Sequence, residues 1–292
     1  MLKVAVIGTG NIGMDLLIKL IKLNTVEIVA FVGRRPPTKP IPNGINYSPK
    51  GINYFIENPR CCQVVFDCTN AENAVFHASV FQEQDITVID LTPSKIGKMC
   101  VPFIGVPKSD NVNMVTCGGQ ACIPLLYYLA EKVPVKYAEV VTQIASDSAG
   151  LATRYNIDKY IETTENAIRR FTGITNSKVI LNINPLYTTI MQTSVFVQTA
   201  KTDVDFSDFD EFVKKIKSYI PNYAVSVTPT WIAPDTILAS VNIMGSGDYL
   251  SKYSGNLDVI NCAAIHVLKQ IILRQSCQED PQLRDNAPEV CT

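Results

Sequence analysis

The chain contains 292 residues, of which 47% are hydrophobic and 18% charged, and its formal net charge at pH 7 is −1. A chain of this length exceeds what one hydrophobic core usually supports, so we expect a globular protein of two domains. The near-zero charge argues against binding to nucleic acid or to an anionic membrane. The apolar pattern predicts neither a membrane span nor a signal peptide, which favours a cytoplasmic protein.

The nine cysteines are scattered along the chain, and the two histidines are His77 and His266. This pattern predicts reduced cytosolic thiols and argues against a zinc site, so no metal is expected. Both histidines lie in apolar, helix-like stretches, which indicates structural roles.

The first predicted element is a strand at residues 3–7, and Gly8, Gly10 and Gly13 lead from it into an apolar helix at 14–23. Glycines at G-x-G-x-x-G spacing between a strand and a helix are typical of dinucleotide-binding turns, because they let the backbone approach a pyrophosphate at the helix start. A purely structural turn is the alternative.

The second strand, Val26–Val32, is followed by Gly33, Arg34, Arg35 and Pro36, where an acidic residue would accept from the ribose 2′-hydroxyl of NAD. Two guanidiniums suit a 2′-phosphate instead, so Arg34 and Arg35 favour NADP. A solvated basic turn is the alternative.

Strands at 63–67 and 86–91 flank a helix at 71–84, which predicts a parallel sheet with crossover helices and hence a Rossmann domain. Further along, the pattern predicts a mixed α+β domain and a closing helix at 259–273. The strands of that second domain are predicted at 138–145, 179–182, 194–198, 224–227 and 237–244, and its helices at 154–171 and at 207–219, the latter capped by Ser207.

Cys117 stands between a strand-like run and two glycines that open a helix, in the segment NVNMVTCGGQ at 111–120. Free amides at a helix start lower the pKa of a thiol and can hold the oxyanion that follows its attack on a carbonyl. Cys117 is therefore predicted to be an acyl-transfer nucleophile. The alternative is a small buried thiol beside glycines needed for a turn.

Six sequence blocks carry a resemblance to a known family. They read IGTGNIG from residue 7, VIDLTP from 88, NVNMVTCGGQ from 111, YAEVVTQIASDSAG from 137, TRYNID from 153 and GSGDYLSKYSGNLD from 245. In this order they resemble the CoA-acylating acetaldehyde dehydrogenases that pair with a 4-hydroxy-2-oxovalerate aldolase.

The resemblance implies an α/β protein with a Rossmann domain at 1–116, completed by a helix at 257–275, a catalytic and dimerisation domain at 117–256, and a flexible tail at 276–292. It also implies a homodimer, a possible aldolase partner, and a reaction that converts a short aldehyde (acetaldehyde or propanal), NAD(P)+ and CoA into acyl-CoA and NAD(P)H through a Cys117 thioester. The second domain is rich in strands, and we expect its sheet to leave apolar surface for a dimer contact at Phe196, Trp231 and Ile243.

The same resemblance gives roles to individual residues. Cys117 matches the thioester cysteine, Asn156 is implied to orient the thiol or hold the oxyanion, and Asn256 is implied to lie near the nicotinamide. The nucleotide-binding residues that the glycine motif, the basic pair and the resemblance give together are Gly8, Thr9, Gly10, Asn11, Ile12, Gly13, Arg34, Arg35, Ser148, Ala149, Gly150, Asn156 and Asn256.

The chain departs from the family pattern at three places. Thr193 stands where relatives usually carry an acidic residue, Leu151 and Ala152 replace a Pro-Gly pair, and the loop with Arg34 and Arg35 is short and lacks its acidic residue. Three alternatives therefore stay open: an acyl-CoA reductase in a biosynthetic pathway, a relative of the phosphorylating semialdehyde dehydrogenases, and a non-catalytic nucleotide-binding partner subunit.

Overall fold

The structure, a computed structural model, describes residues 1–185 and 190–279. Of the tail that the sequence predicts at 276–292, residues 280–292 lie outside the described part. Two β-sheets with helices packed on them make up the described chain, and a long C-terminal helix contacts elements of both halves.

The N-terminal sheet has seven parallel strands in the order β3-β2-β1-β4-β5-β7-β6. They are β1 Leu2–Ile7, β2 Val26–Val32, β3 Tyr47–Ser48, β4 Val64–Asp67, β5 Thr87–Asp90, β6 Lys98–Met99 and β7 Asn111–Asn113, with helices α1 Asn11–Leu23, α2 Asn53–Glu57 and α3 Ala71–Glu83. Because all strands run in one direction, the turns that follow them meet at one edge, and the strand order reverses beside β1, where open α/β sheets bind nucleotides. The predicted Rossmann architecture is confirmed.

The second sheet has five strands in the order β11-β12-β10-β8-β9, and only the β8–β9 pair is parallel. The strands are β8 Tyr137–Ala145, β9 Ser177–Asn184, β10 Met191–Gln198, β11 Tyr223–Ala233 and β12 Thr236–Ile243, and the helices are α4 Cys117–Lys132, α5 Leu151–Tyr155, α6 Ile157–Thr172, α7 Phe209–Lys217 and α8 Gly255–Glu279. Side chains along β10 alternate between buried and more accessible positions, as a sheet with one covered face requires. The predicted mixed α+β region is confirmed.

Helix α8 joins the two halves. It packs against α1 on the nucleotide side and against α4 and β12 on the other, and buried residues of all these elements belong to one continuous apolar core. Contrary to the sequence-based expectation, the segment Gly255–Cys277 is long and apolar enough to cross a membrane by length and composition, but 56% of its most apolar window is buried inside the protein. Its apolar character is therefore that of a core helix.

A buried charged cluster links α1, α8 and the loop that precedes α8. The Nζ atom of Lys19 lies 3.0 Å from a carboxylate oxygen of Asp15, 2.6 Å from one of Asp248 and 2.5 Å from one of Asp258. The three carboxylates lie close enough together to hold a metal ion, but the Lys19 ammonium already occupies the space among them. Lys22 adds an exposed ion pair to Asp248. The cluster therefore connects the first Rossmann helix to the closing helix by ion pairs.

Two predictions about local structure are wrong. Helix α7 begins at Phe209 after Asp208, with no side-chain cap bond among the described residues, and Ser207 instead donates to the carboxylate of Asp205 at 2.8 Å. Ile243, expected on an exposed face, is fully buried, whereas Phe196 and Trp231 are half-buried.

The cysteines also differ from expectation at one position. Free thiols are present at Cys61, Cys62, Cys68, Cys100, Cys117, Cys122 and Cys262. Cys277 is disulfide-bonded, so the prediction of reduced thiols does not hold for it.

Candidate active site

The turn between β1 and α1 has the close packing that a dinucleotide fingerprint needs. Gly8 adopts φ +114°, and a Cβ atom there would lie 2.5 Å from the Cys68 carbonyl group. A Cβ atom on Gly13 would lie 1.8 Å from the Gly8 oxygen, so only glycine lets α1 approach the strand this closely. At Gly10, by contrast, an added Cβ would meet no atom within 4 Å. The space outside the helix start is therefore open.

The start of α1 offers backbone N–H groups to an anion. Gly10 is the N-cap residue, and within the described chain no side chain caps the helix. An uncapped helix start presents its first amides and the positive end of its dipole, which suits a pyrophosphate. The open cradle at Gly10 and the uncapped amides thus fit the phosphates of a dinucleotide.

Arg34 and Arg35 lie next to this turn, at the end of β2. The Thr9 hydroxyl donates to the Arg35 carbonyl oxygen at 2.6 Å, which ties the glycine turn to the basic loop. Both arginines are exposed, and neither guanidinium has an ion-pair partner in the part of the chain that the structure describes. Two charged groups are thus available beside the position of the adenosine ribose in such folds.

The segment after β8 packs against the nucleotide turn. An added Cβ on Gly150 would lie 3.9 Å from the Asn11 side-chain nitrogen. The Asn256 amide donates to the Ser148 carbonyl oxygen at 3.4 Å, which attaches α8 to the same segment that contains Ala149. The Asn256 oxygen is buried and has no hydrogen-bond partner among the residues described. It is an acceptor for which a carboxamide N–H group would be a suitable donor.

Cys117 is the first residue of α4, at the carboxyl edge of the nucleotide sheet. The preceding residue, Thr116, caps the helix by accepting from the Gly119 amide at 2.9 Å. Val115 adopts φ +61°, a strained value for a β-branched residue, and its amide donates to the Asn113 side chain at 2.9 Å. The tight turn after β7 thus directs Cys117 out of the sheet edge.

The pKa of Cys117 differs from the sequence-based expectation. Burial raises it to about 11, although the Gly118 amide and the Tyr160 hydroxyl act in the opposite direction. The predicted lowering by free amides is therefore present but is outweighed by desolvation. Cys68, a second thiol at this edge, has a pKa raised further by burial and by the charges of Asp67 and Asp90.

A cavity of about 70 Å³ lies between the nucleotide turn and the start of α4. It is lined by Ile12, Cys68, Thr69, Asn70, Leu91, Thr92, Pro93, Val115, Thr116, Cys117, Thr153, Asn156, Tyr160, Asn256 and Ile260. Four predicted site residues, Ile12, Cys117, Asn156 and Asn256, thus share one cleft. Arg34 and Arg35 lie outside it, at the far end of the nucleotide turn, as contacts to the adenosine end of a dinucleotide require.

Three buried hydroxyls that the sequence analysis missed or could not place lie behind Cys117. A Cβ atom on Gly118 would lie 1.8 Å from the Tyr160 hydroxyl and 3.2 Å from the Thr142 hydroxyl. Thr142 in turn contacts the Thr193 hydroxyl at 3.1 Å. Thr193, the predicted departure from the family pattern, therefore extends this hydroxyl cluster and adds no charge to it.

Two buried aspartates support the loops that line the cleft. Asp67 accepts from the Thr69 amide at 3.0 Å, and the ring of His77 contacts its other oxygen at 2.7 Å. Asp90 accepts from the Thr92 amide at 2.7 Å, and burial together with the charge of Asp67 raises the pKa of Asp90 to about 7. His77 thus contacts Asp67, which holds a loop of the cleft, and does not itself line the cleft.

Two solved structures share the fold of this chain. It superposes on aspartate semialdehyde dehydrogenase II from Vibrio cholerae complexed with ASA, with a TM-score of 0.60, 12% identity, and coverage of 92% of this chain and 99% of that one. A second crystal structure of aspartate semialdehyde dehydrogenase II from Vibrio cholerae gives a TM-score of 0.62 at 12% identity, covering 93% of this chain and 98% of that one. At this identity the likeness shows the fold, which is that of the semialdehyde dehydrogenase class.

Sequence relatives identify the family. The profile described as "Prokaryotic acetaldehyde dehydrogenase, dimerisation" matches residues 117–251. Acetaldehyde dehydrogenase from Pectobacterium atrosepticum is 40% identical over 92% of this chain and 95% of its own, and acetaldehyde dehydrogenase from Spirochaeta aurantia is 42% identical over 92% of this chain and 94% of its own. The chain belongs to the acetaldehyde dehydrogenase family and is an oxidoreductase of the acetylating type.

Proposed function

We propose that Cys117 attacks acetaldehyde or a similarly short aldehyde, and that the acyl group then passes from its sulfur to CoA. The observation that carries this proposal is the meeting of Cys117, Asn156, Asn256 and the nucleotide turn in one cleft at the carboxyl edge of the Rossmann sheet. When bound, the nicotinamide of NAD or NADP accepts the hydride. We assign residues 1–116, with the helix at 257–275, to nucleotide binding and residues 117–256 to catalysis and dimerisation.

Residues of the chain supply the remaining chemistry. The Cys117 thiolate forms a carbon–sulfur bond to the aldehyde carbon, and the carbonyl electron pair moves onto the oxygen. We assign the amides of Cys117 and Gly118, at the start of α4, and the Asn156 side chain as donors to that oxyanion, because Cys117 and Asn156 line the same cleft. With the hydride removed, Cys117 would hold a thioester; attack by the thiol of CoA on its carbonyl carbon forms acyl-CoA, breaks the bond to Cys117 and frees the sulfur. Burial disfavours the charged thiolate of Cys117. A positive charge close to the sulfur would stabilise the thiolate and so favour its attack on the aldehyde.

Substrate tests distinguish this proposal from a phosphorylating enzyme and from a non-catalytic subunit. NADH and NADPH formation is measured with acetaldehyde and with propanal, using CoA or inorganic phosphate as the acyl acceptor. We expect turnover that requires CoA. Turnover with phosphate in place of CoA would instead indicate a phosphorylating enzyme, and absence of turnover with either acceptor would indicate a non-catalytic subunit.

Arg34 and Arg35 support a further proposal about the cofactor, namely that NADP binds at least as well as NAD. Replacing both arginines by alanine should weaken NADP binding tenfold or more, because a charge-assisted phosphate contact contributes about 1.5 to 3 kcal/mol, and should leave NAD binding unchanged. Titration calorimetry with both cofactors measures the effect. Arg169 and Arg170, an adjacent exposed pair at the end of α6, provide a double-alanine control of equal charge. Equal loss for NAD and NADP would rule out a phosphate-binding role.

We further propose that the chain is a cytoplasmic homodimer associated through the sheet of the second domain, and an aldolase partner is a separate possibility. The match to a dimerisation domain over 117–251 supports the dimer. Sedimentation at micromolar concentration should give twice the mass of one chain. Phe196→Asp, at a half-buried position of β10, should reduce the mass to one chain, whereas Phe76→Asp, at an exposed position of α3, should not. A sedimentation mass of one chain for the unmodified protein would contradict the dimer. If a co-expressed aldolase does not co-purify with the chain, only the aldolase partnership is contradicted.

A further inference from the structure

Tyr160 occupies a position next to the nucleophile that no sequence motif indicates. It lies on α6 and lines the same cleft as Cys117. The hydroxyl is close enough to α4 that a single methyl group at Gly118 would collide with it at 1.8 Å. The Tyr160 amide also donates to the Asn156 carbonyl oxygen at 2.8 Å, so Asn156 and Tyr160 are one helical turn apart and face the cleft together.

The Tyr160 hydroxyl has no settled partner in the described structure. Its oxygen is buried from water and makes no hydrogen bond of normal geometry to any described residue. Buried tyrosine hydroxyls are normally paired, because an unpaired one carries a desolvation cost. The groups close to it are the Cys117 sulfur and the Thr142 hydroxyl. The Tyr160 hydroxyl therefore lies beside the Cys117 sulfur as a donor that the described hydrogen bonds do not already use.

The electrostatic surroundings make Tyr160 a donor and not a base. Burial, followed by the neighbouring Cys117 and Cys122 thiols, raises the pKa of Tyr160 well above its ordinary value, so its proton stays in place at any pH at which the enzyme works. A thiolate is a stronger acceptor than a thiol, and a hydrogen bond to it stabilises the charged form. The two histidines of the chain lie elsewhere, His77 against Asp67 and His266 on α8.

We propose that Tyr160 is a catalytic residue that donates its hydroxyl hydrogen to the Cys117 sulfur once the thiol proton has left for solvent, and so holds the thiolate for attack. The proposal rests on the proposed function, in which Cys117 is the nucleophile. Tyr160 keeps its proton throughout. The electron pair that forms the carbon–sulfur bond comes from sulfur, and the negative charge passes to the aldehyde oxygen. The Thr142 hydroxyl, which contacts the Thr193 hydroxyl, lies beside the Tyr160 hydroxyl near Gly118.

The test measures the thiol directly and not only turnover. Wild-type enzyme and Tyr160→Phe are alkylated with iodoacetamide between pH 7 and pH 11, and modification of the Cys117 peptide is followed by mass spectrometry. Removing a hydrogen bond to the thiolate should shift the rise of the alkylation rate with pH upward by about one pH unit, so that alkylation at pH 8 becomes about tenfold slower. A role in packing alone would leave this profile in place.

Tyr219→Phe provides the matched control. The same hydroxyl is removed from another buried tyrosine, which packs against His266 with ring centroids 5.1 Å apart, and the Cys117 profile should not change. An unchanged profile in Tyr160→Phe would overturn the proposal while the thioester mechanism stands. Failure of wild-type Cys117 to form an acyl adduct would overturn the proposed function instead.

Gly118→Ala provides a second test that leaves the Tyr160 side chain in place. Gly118→Ala keeps the backbone amide but places a methyl group where the tyrosine hydroxyl lies. It should slow alkylation at pH 8 by about the same tenfold factor. In Gly118→Ala combined with Tyr160→Phe the methyl group fills the space left by the oxygen, so the double variant should be no slower than either single one. Additive slowing, or no slowing by Gly118→Ala, would contradict the proposal.

Discussion

Replacing Cys117 by alanine is expected to lower CoA-dependent oxidation of acetaldehyde by at least about a thousandfold, because the variant has no sulfur on which to form the thioester. The side chain is small and lies at a helix start, so we expect the fold and nucleotide binding to remain. Formation of NADH or NADPH measures the first effect, and titration with the cofactor measures the second. Mass spectrometry after incubation with acetyl-CoA should show an acetyl adduct on wild-type Cys117 only.

Two other cysteines provide controls for this prediction. Cys68 lines the same cleft, so it is the competing candidate for the nucleophile, but burial and the charges of two carboxylates raise its pKa well above the ordinary value, and no helix amide among the described residues opposes this shift. Cys122 is fully buried farther along α4. Cys68→Ala and Cys122→Ala should both retain most of the activity. Loss of the acetyl adduct in Cys68→Ala, together with remaining turnover in Cys117→Ala, would show that Cys68 and not Cys117 is the nucleophile.

The parts of the site that the sequence predicts are those specified by neighbours in the chain. The glycine turn depends on a strand, three glycines and a helix within Leu2–Leu23, and Cys117 depends on the glycines that follow it. Short-range patterns of this kind determine local backbone geometry. The direction of the Cys117 pKa shift depends instead on burial beneath helices that are distant in sequence, so the local expectation of a lowered value is wrong.

Tyr160 and Thr142 show why other site residues could not be found in this way. Each is an ordinary residue in an amphipathic helix or a strand, and only the packing of α6 and β8 on α4 brings them to Gly118. The position of Thr193 was visible as a departure from the family pattern, but not its contact with Thr142. Side chains that act through tertiary contacts leave no spacing in the sequence from which to infer them.

Lys19 illustrates the same limit for stability. It lies within the helix predicted at 14–23, whereas Asp248 and Asp258 come from the last third of the chain. Burial alone would lower the pKa of Lys19, but the surrounding aspartates raise it, so the ammonium stays charged. This one cation is what makes three buried carboxylates tolerable at the junction of α1 and α8.

Lys19→Met is therefore expected to lower the free energy of unfolding by about 3 to 5 kcal/mol at pH 7, the effect of removing one partner from a buried ionic cluster. Urea unfolding followed by circular dichroism measures the loss. Lys22→Met is the matched control, because it removes the same charge from the exposed side of the cluster, where the Lys22 side chain is 64% accessible, and it should cost less than about 1 kcal/mol. Similar losses in both variants would contradict a special role for the buried ammonium.

The pH dependence of this loss separates charge from packing. Burial already raises the pKa of Asp15 in the presence of Lys19, and without the ammonium the folded-state pKa of Asp15 should rise further. A group whose pKa is higher in the folded than in the unfolded state opposes folding as pH rises through that value, and the penalty disappears when the group is protonated. The deficit of Lys19→Met relative to wild type should therefore shrink as pH is lowered from 7 towards 5. A deficit that stays constant over this range would show that the variant loses packing around α1 and not compensation of charge.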